Sequence, residues 1–210
     1  LPDNNFFLNV GNTPRVAVTK DVGNNNYPLN YSSYNLNNES TVHYNSANTQ
    51  TIKSTTYGNL VLSNGNANAK TIAGDITING NITINAGATF SGSNYSVTLN
   101  GNLLNTGTFI AATGTVNLNG TAKEINGNAF TLNNVNIAGT YTVKDINLTF
   151  EGLLDIAKTG NINLGAGIIT FNGNFHNSGI LTNTGIVTFS GSQIQTIEFH
   201  SSINTSFNGT

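Results

Sequence analysis

Cysteine is absent from the 210 residues. Neither a disulfide frame nor a thiolate metal site can therefore hold this chain together. Proline is nearly absent: Pro2, Pro14 and Pro28 all precede residue 41. Beyond them nothing interrupts a backbone ladder in which each N–H must find a neighbouring strand. Charge is scarce too, at 8% of residues against roughly 25% in an average domain. With a net charge of −2 and no basic run, the electrostatic footprint of a nucleic-acid partner is missing. No apolar run approaches the ~20 residues of a membrane-spanning helix. The opening LPDNNFFLNV has neither the basic start nor the apolar core of a signal peptide. Any export signal is expected outside these residues. No stretch of ten or more residues carries an apolar 3.6-residue period, so no α-helix beyond a turn is expected.

Asn, Thr, Ser and Gly fill the sequence instead, with Asn at about one residue in five. Asn and Gly make turns, and uncharged polar faces suit a secreted protein that meets neutral glycans or a neighbour in an assembly. These residues are arranged as a repeat. Gly80, Gly101 and Gly107 recur at one constant offset as Gly152, Gly173 and Gly179. Ile76, Ile78, Val97 and Leu99 recur at the same offset as Leu148, Phe150, Ile169 and Phe171. A shorter step, identical in the two copies, separates Gly80 from Gly101 and Gly152 from Gly173. TVHYNSANTQTI, TVNLNGTAKEI and IVTFSGSQIQTI open three successive copies at 41, 115 and 186. A short unit nested in a longer one, built of strands rather than helices, marks a solenoid.

The fold class expected is all-β: a single right-handed parallel β-helix with ~21-residue rungs in a ~72-residue super-repeat, about ten rungs and ~50 Å long. Residues 1–40 read as irregular rungs with a long polar surface insertion, and 41–210 as regular solenoid. Tyr27, Tyr31, Tyr34 and Tyr44, in or beside the insertion, either stack on sugars or cover the flank of the rungs beneath. FHSSINTSFNGT at the C-terminus stops mid-pattern, so the whole chain reads as an excerpt of a longer repetitive protein with exposed strand edges at both ends.

Period-two alternation turns Ile78, Leu99, Leu118, Phe150, Phe171 and Phe189 inward. The residues between them point out and are expected to form a surface ladder: Thr77, Thr98, Asn117, Thr149, Thr170 and Thr188. A second outward column is Asn79, Asn100, Asn119, Glu151, Asn172 and Ser190. Glycine at 80, 101, 152 and 173 turns the corners, with the preceding residue suited to a left-handed conformation.

Candidate chemistry is thin. Of nine acidic residues, Asp145, Glu151 and Asp155 form the one local cluster, flanked by Lys144 and Lys158. They are the catalytic candidates if the chain is a polysaccharide lyase or hydrolase, which needs grouped carboxylates with a partner. The ordinary reading is surface charge on one rung. His43, His176 and His200 lie far apart in sequence, without a zinc-ligand spacing. No metal and no cofactor is expected. A rank of outward threonines also raises an ice-binding face, against the ordinary reading of β-branched residues on a solvated sheet.

The segments TVHYNSANTQTI, YGNLVLSNG, AKTIAGDITINGNITINAGATF, VTLNGNLLNTGTF and GTVNLNG resemble the long repetitive surface proteins of gliding and other Bacteroidetes-type bacteria. Those proteins are exported by the type IX secretion system and are adhesin-like. The resemblance spans about residues 41–200. It implies export to the bacterial cell surface, a very long parent chain and a role in attachment, with no catalytic residues to carry over. The sorting segment of such proteins is expected elsewhere in the parent. The Asp-Ser and Asp-Thr dipeptides that the family glycosylates do not occur here. The function expected is a non-catalytic structural or adhesive segment, a stiff extracellular rod. Its partners would be other segments of the same polypeptide, polysaccharide or cell-surface material, and the secretion machinery of the parent, with no nucleic acid and no membrane span.

Overall fold

A computed structural model describes residues 36–200 and the backbone of 205–207. The described residues contain no helix. The described strands fall into three parallel sheets: nine strands in sheet A, eight in sheet B and eight in sheet C. The chain visits A, B and C in turn, so each circuit adds one strand to each sheet. The result is a β-solenoid of about eight turns in which neighbouring strands run parallel, as in Ile76↔Val97 and Ile78↔Leu99. The other expected rungs, the polar insertion up to residue 35, and Tyr27, Tyr31 and Tyr34 lie outside the described residues.

Short alternating segments make these strands. Ile76–Ile78 and Ile82–Ile84 read buried, half-buried, buried, with Gly80 and Asn81 in the corner between them. The inward residues meet in one continuous core that runs from Val42 to Leu181. In sheet B the Phe150 and Phe171 rings stack at 5.3 Å, and Phe171 and Phe189 at 5.0 Å. Each such side chain contributes about 1.5–3 kcal/mol on burial. Alternation turns Phe189 inward, yet it is 39% exposed, because among the described residues no further strand stacks beyond it in sheet B. Tyr44 is fully buried, its hydroxyl 3.1 Å from that of Tyr57, and so belongs to the core rather than to a sugar-stacking surface.

Asparagine repairs what the corners would break. Asn81 accepts through Oδ1 from the Asn102 amide at 2.8 Å, and Asn102 does the same for Glu124 at 2.9 Å. Asn134 and Asn174 serve Leu153 and Thr196 at another corner. One side-chain oxygen thus replaces the carbonyl that a bending backbone turns away from the next N–H. Left-handed Asn-Gly occurs at Asn64 and Gly65, with φ of 59° and 96°. Gly101 and Gly173 are required for a different reason. A Cβ there would sit 1.8 Å from Gly80 O and 1.9 Å from Gly152 O, in the backbone of the preceding turn.

Turn length is less uniform than the glycine spacing implies. The stacked partners Asn79 and Asn100 are 21 apart in sequence, but Thr98 and Asn117 only 19. Corners absorb the difference, because the ladder constrains strands and not loops.

The long repeat is not a whole number of turns. Ile76–Ile78 is the sixth strand and Leu148–Phe150 the seventeenth. Eleven strands at three per turn make three and two-thirds turns, so the copy lands on a different sheet. The expected single ladder is therefore two. Thr77, Thr98 and Asn117 pair on sheet C, whereas Thr149, Thr170 and Thr188 pair on sheet B. The inward column divides likewise between Leu118 and Phe150. Thr77, Thr98 and Thr170 are half-buried rather than exposed, since stacked neighbours cover both flanks of each side chain.

Candidate functional site

The three carboxylates that sequence groups together are dealt around the axis. Asp145 stands at the corner between sheets A and B, in a left-handed conformation with φ of 54°. Its Oδ1 accepts from the Ala166 amide at 2.7 Å, the corner-repair role that Asn plays elsewhere. Lys144 beside it pairs with Glu124 at 2.9 Å. Glu151 lies at the corner between sheets B and C and accepts from Asn172 Nδ2 at 3.0 Å. It borders an open hollow of about 180 Å³ beside Phe109, Ala112, Thr131 and Asn133. A hollow with one carboxylate lacks the pair that glycoside hydrolysis needs. Asp155 sits in mid-strand on sheet C, and Lys158 is exposed in the following corner.

Asp155 keeps other company, which register alone reveals. The outward column of sheet C reads Thr56, Thr77, Thr98, Asn117, Asn136, Asp155, His176, Glu198. Uncharged amides lead into it: Asn136 Nδ2 donates to Asn117 Oδ1 at 2.9 Å. Beside it runs the column Asn100, Asn119, Ala138, Ala157, Ser178, His200. Each of these residues donates its amide to the carbonyl one turn earlier, as Ala157 does to Ile137 and Ser178 to Ile156. Acid–base side chains on this face thus collect in the last three described turns.

There three groups line up. His176 Nδ1 bonds Asp155 Oδ1, and His176 Nε2 lies 3.3 Å from Ser178 Oγ. With Nδ1–H donated to the carboxylate, Nε2 is left to accept the serine O–H. All three are half-buried. His200 packs edge-on to His176, ring centroids 5.2 Å apart. His176 lies on the strand Phe175–Asn177 and Ser178 is the first residue of the corner after it, two positions on, which brings its hydroxyl back to the same imidazole. Asp155 joins them because it stands one full turn before His176, directly across the parallel pairing. That spacing was present in the sequence, but with the histidines read for metal spacing it carried no signal. His43 is remote on sheet A, with Nε2 2.7 Å from Ser63 Oγ. No group of three or more His, Cys, Asp or Glu side chains is arranged to hold a metal ion among the described residues.

Two further features bear on chemistry. Lys70 is fully buried in the early turns, donating to the Ser46 and Asn64 carbonyls at 2.9 and 3.3 Å. Burial holds its ammonium below the usual lysine range. On sheet B the outward column is Thr51, Thr71, Ser91, Ile110, Thr131, Thr149, Thr170, Thr188. This rank is longer than the one expected from the repeat, with Ser91 and Ile110 interrupting its threonines. No family model matches this chain, nor does any curated protein or solved structure.

Proposed function

We propose that this chain is a structural and adhesive segment of a secreted bacterial surface protein, a stiff extracellular rod that attaches by shape and contact. The observation that carries the reading is the unbroken stack: three parallel ladders continue side by side through about eight turns. Parallel strands bonded on both edges resist bending, and such a rod holds a binding tip at a distance. Its outward columns of Thr, Asn and Ser offer many weak polar contacts to polysaccharide or to a neighbouring segment. Partners of this kind need no cleft. A lyase or hydrolase acting through Asp145, Glu151 and Asp155 is less well supported, since those groups lie at two corners and on one face.

Retention on insoluble neutral and acidic polysaccharides, measured alongside release of reducing ends, separates the two. Retention without turnover is expected, weakened by Thr149→Asp with Thr170→Asp on sheet B. Turnover that vanishes in Glu151→Gln would replace the rod with an enzyme. The threonine rank on sheet B favours one second reading, an ice-binding face. Thermal hysteresis abolished by Thr170→Lys is its test, and absence of hysteresis in the unmodified chain removes it.

A further inference from the structure

The Asp155–His176–Ser178 alignment does what neither a rod nor a polar ladder requires. A column of stacked amides needs only donors and acceptors in alternation, and Asn117 and Asn136 already provide that. Here a carboxylate fixes one imidazole nitrogen, and the other faces a hydroxyl. This is the order of groups that turns a serine into a nucleophile. We propose that Ser178 is the nucleophile of an acyl-transfer site on sheet C, with His176 as general base and Asp155 as the group that positions it. Simple carboxylic esters are the substrate class. The proposal goes beyond the rod reading and does not depend on it.

Surroundings of Ser178 support this class. On the preceding turns its column holds Ala157 and Ala138, both small, half-buried and exposed respectively. Ser178, Gly179 and Ile180 amides are already committed, to Ile156 O, Asn177 Oδ1 and Gly160 O. A developing oxyanion must therefore find a side-chain donor, and the candidate is His200, next in the column and edge-on to His176. Without an amide oxyanion hole the site suits activated or unhindered esters rather than amides.

The step balances without a cofactor. Ser178 Oγ forms a bond to the ester carbonyl carbon as its proton passes to His176 Nε2, and the imidazolium is held by Asp155. Collapse of the tetrahedral adduct breaks the bond to the alcohol oxygen, which leaves with that proton. Water then adds to the acyl-serine, giving a proton to His176. The carboxylic acid departs as that proton returns to Ser178 Oγ.

The whole chain, treated with a fluorophosphonate probe and with p-nitrophenyl butyrate, tests the assignment. One adduct is expected, located by peptide mass spectrometry on Ser178, together with ester turnover. Ser178→Ala should abolish both, and His176→Gln should slow labelling by about 10²–10⁴-fold, the usual contribution of a general base. Asp155→Asn should slow labelling while leaving Ser178 the labelled residue, with Asp155→Glu recovering part of the rate. A structural role would change these rates only through loss of fold, so each variant's urea midpoint is measured beside them. The proposal is overturned if Ser178 in the folded protein reacts no faster than the surface residue Ser190. It fails equally if His176→Gln labels at the unmodified rate with an unchanged midpoint.

Discussion

Consider replacing Gly101 with alanine. The added Cβ would stand 1.8 Å from Gly80 O, 2.3 Å from Gly80 C and 2.9 Å from Asn81 N, all of them backbone. No side chain can swing aside, so the two turns must part by on the order of 1.5 Å to restore ordinary contact. Three backbone amides beside the corner bond across that seam: Asn100 N to Ile78 O at 2.9 Å, Ile82 N to Asn102 O at 2.9 Å, and Asn102 N to Asn81 Oδ1 at 2.8 Å. A separation of that size takes each beyond hydrogen-bonding reach. At about 1 kcal/mol apiece the loss is about 3 kcal/mol, offset by about 0.4–1 kcal/mol because alanine stiffens the unfolded chain. Gly92 is the matched control. Its added Cβ would meet the Ala111 carbonyl at 3.5 Å, an ordinary contact, and its backbone is not left-handed. Gly92→Ala should therefore be neutral or slightly stabilising. Urea unfolding followed by circular dichroism reads the difference, with the Gly101→Ala midpoint lower by about 1–2 M at a usual slope. Equal midpoints would refute the reasoning and make glycine at the corner a habit of composition.

Three further outcomes are expected. Lys70 has a folded pKa held below its unfolded value of 10.5, so the folded state releases that proton first as pH rises. Stability should climb with pH from the folded pKa up to 10.5 and stay at its lower level beneath that window, and Lys70→Met should remove the climb in urea midpoints taken at several pH values. Tyr141 Oη donates to Leu99 O at 2.7 Å and accepts from the Gly120 amide at 3.1 Å. Tyr141→Phe should cost about 1–3 kcal/mol by calorimetry at neutral pH. Because burial pushes that phenol up to about 12, the unmodified protein should also lose stability as pH rises from 10 to 12, and the variant less so. Finally, Phe171→Ala should cost about 3–5 kcal/mol, whereas Phe189→Ala, at the partly exposed end of the same stack, should cost less than half of that.

The parallel solenoid was legible because its two rules are local. Alternation of Ile76 and Ile78 with Thr77 states which way a side chain points, and the return of glycine from Gly80 to Gly101 states that the corner comes round again. Which sheet a strand joins is not local. Ile76–Ile78 and Leu148–Phe150 obey the same alternation on sheets C and B, so sequence similarity placed Thr77 and Thr149 in one ladder when they share none. The same blindness scattered the candidate site. Asp145, Glu151 and Asp155 are close along the chain, but a solenoid carries the chain around its axis within a few residues. Proximity there belongs to residues one turn apart, as with Asp155 and His176. Lys70 did leave a trace, since alternation with Ile72 in KTI puts its side chain on the inner face. Composition alone, with so few charges, held no hint that one of them lies inside.

The eleven-strand repeat bears on how such a chain can lengthen. The segments that open the three copies, at 41, 115 and 186, begin the first, twelfth and twenty-third strands, on sheets A, C and B. Each duplicate is thus rotated by two-thirds of a circuit from the one before, and three copies return to the starting side. Nothing in the core objects, because all three sheets ask for the same inward–outward alternation and much the same strand length. The quantum of growth is then a single strand and not a whole circuit. Any insertion that preserves strand boundaries keeps the ladders in step, and its surface chemistry is distributed around the rod like treads on a spiral stair.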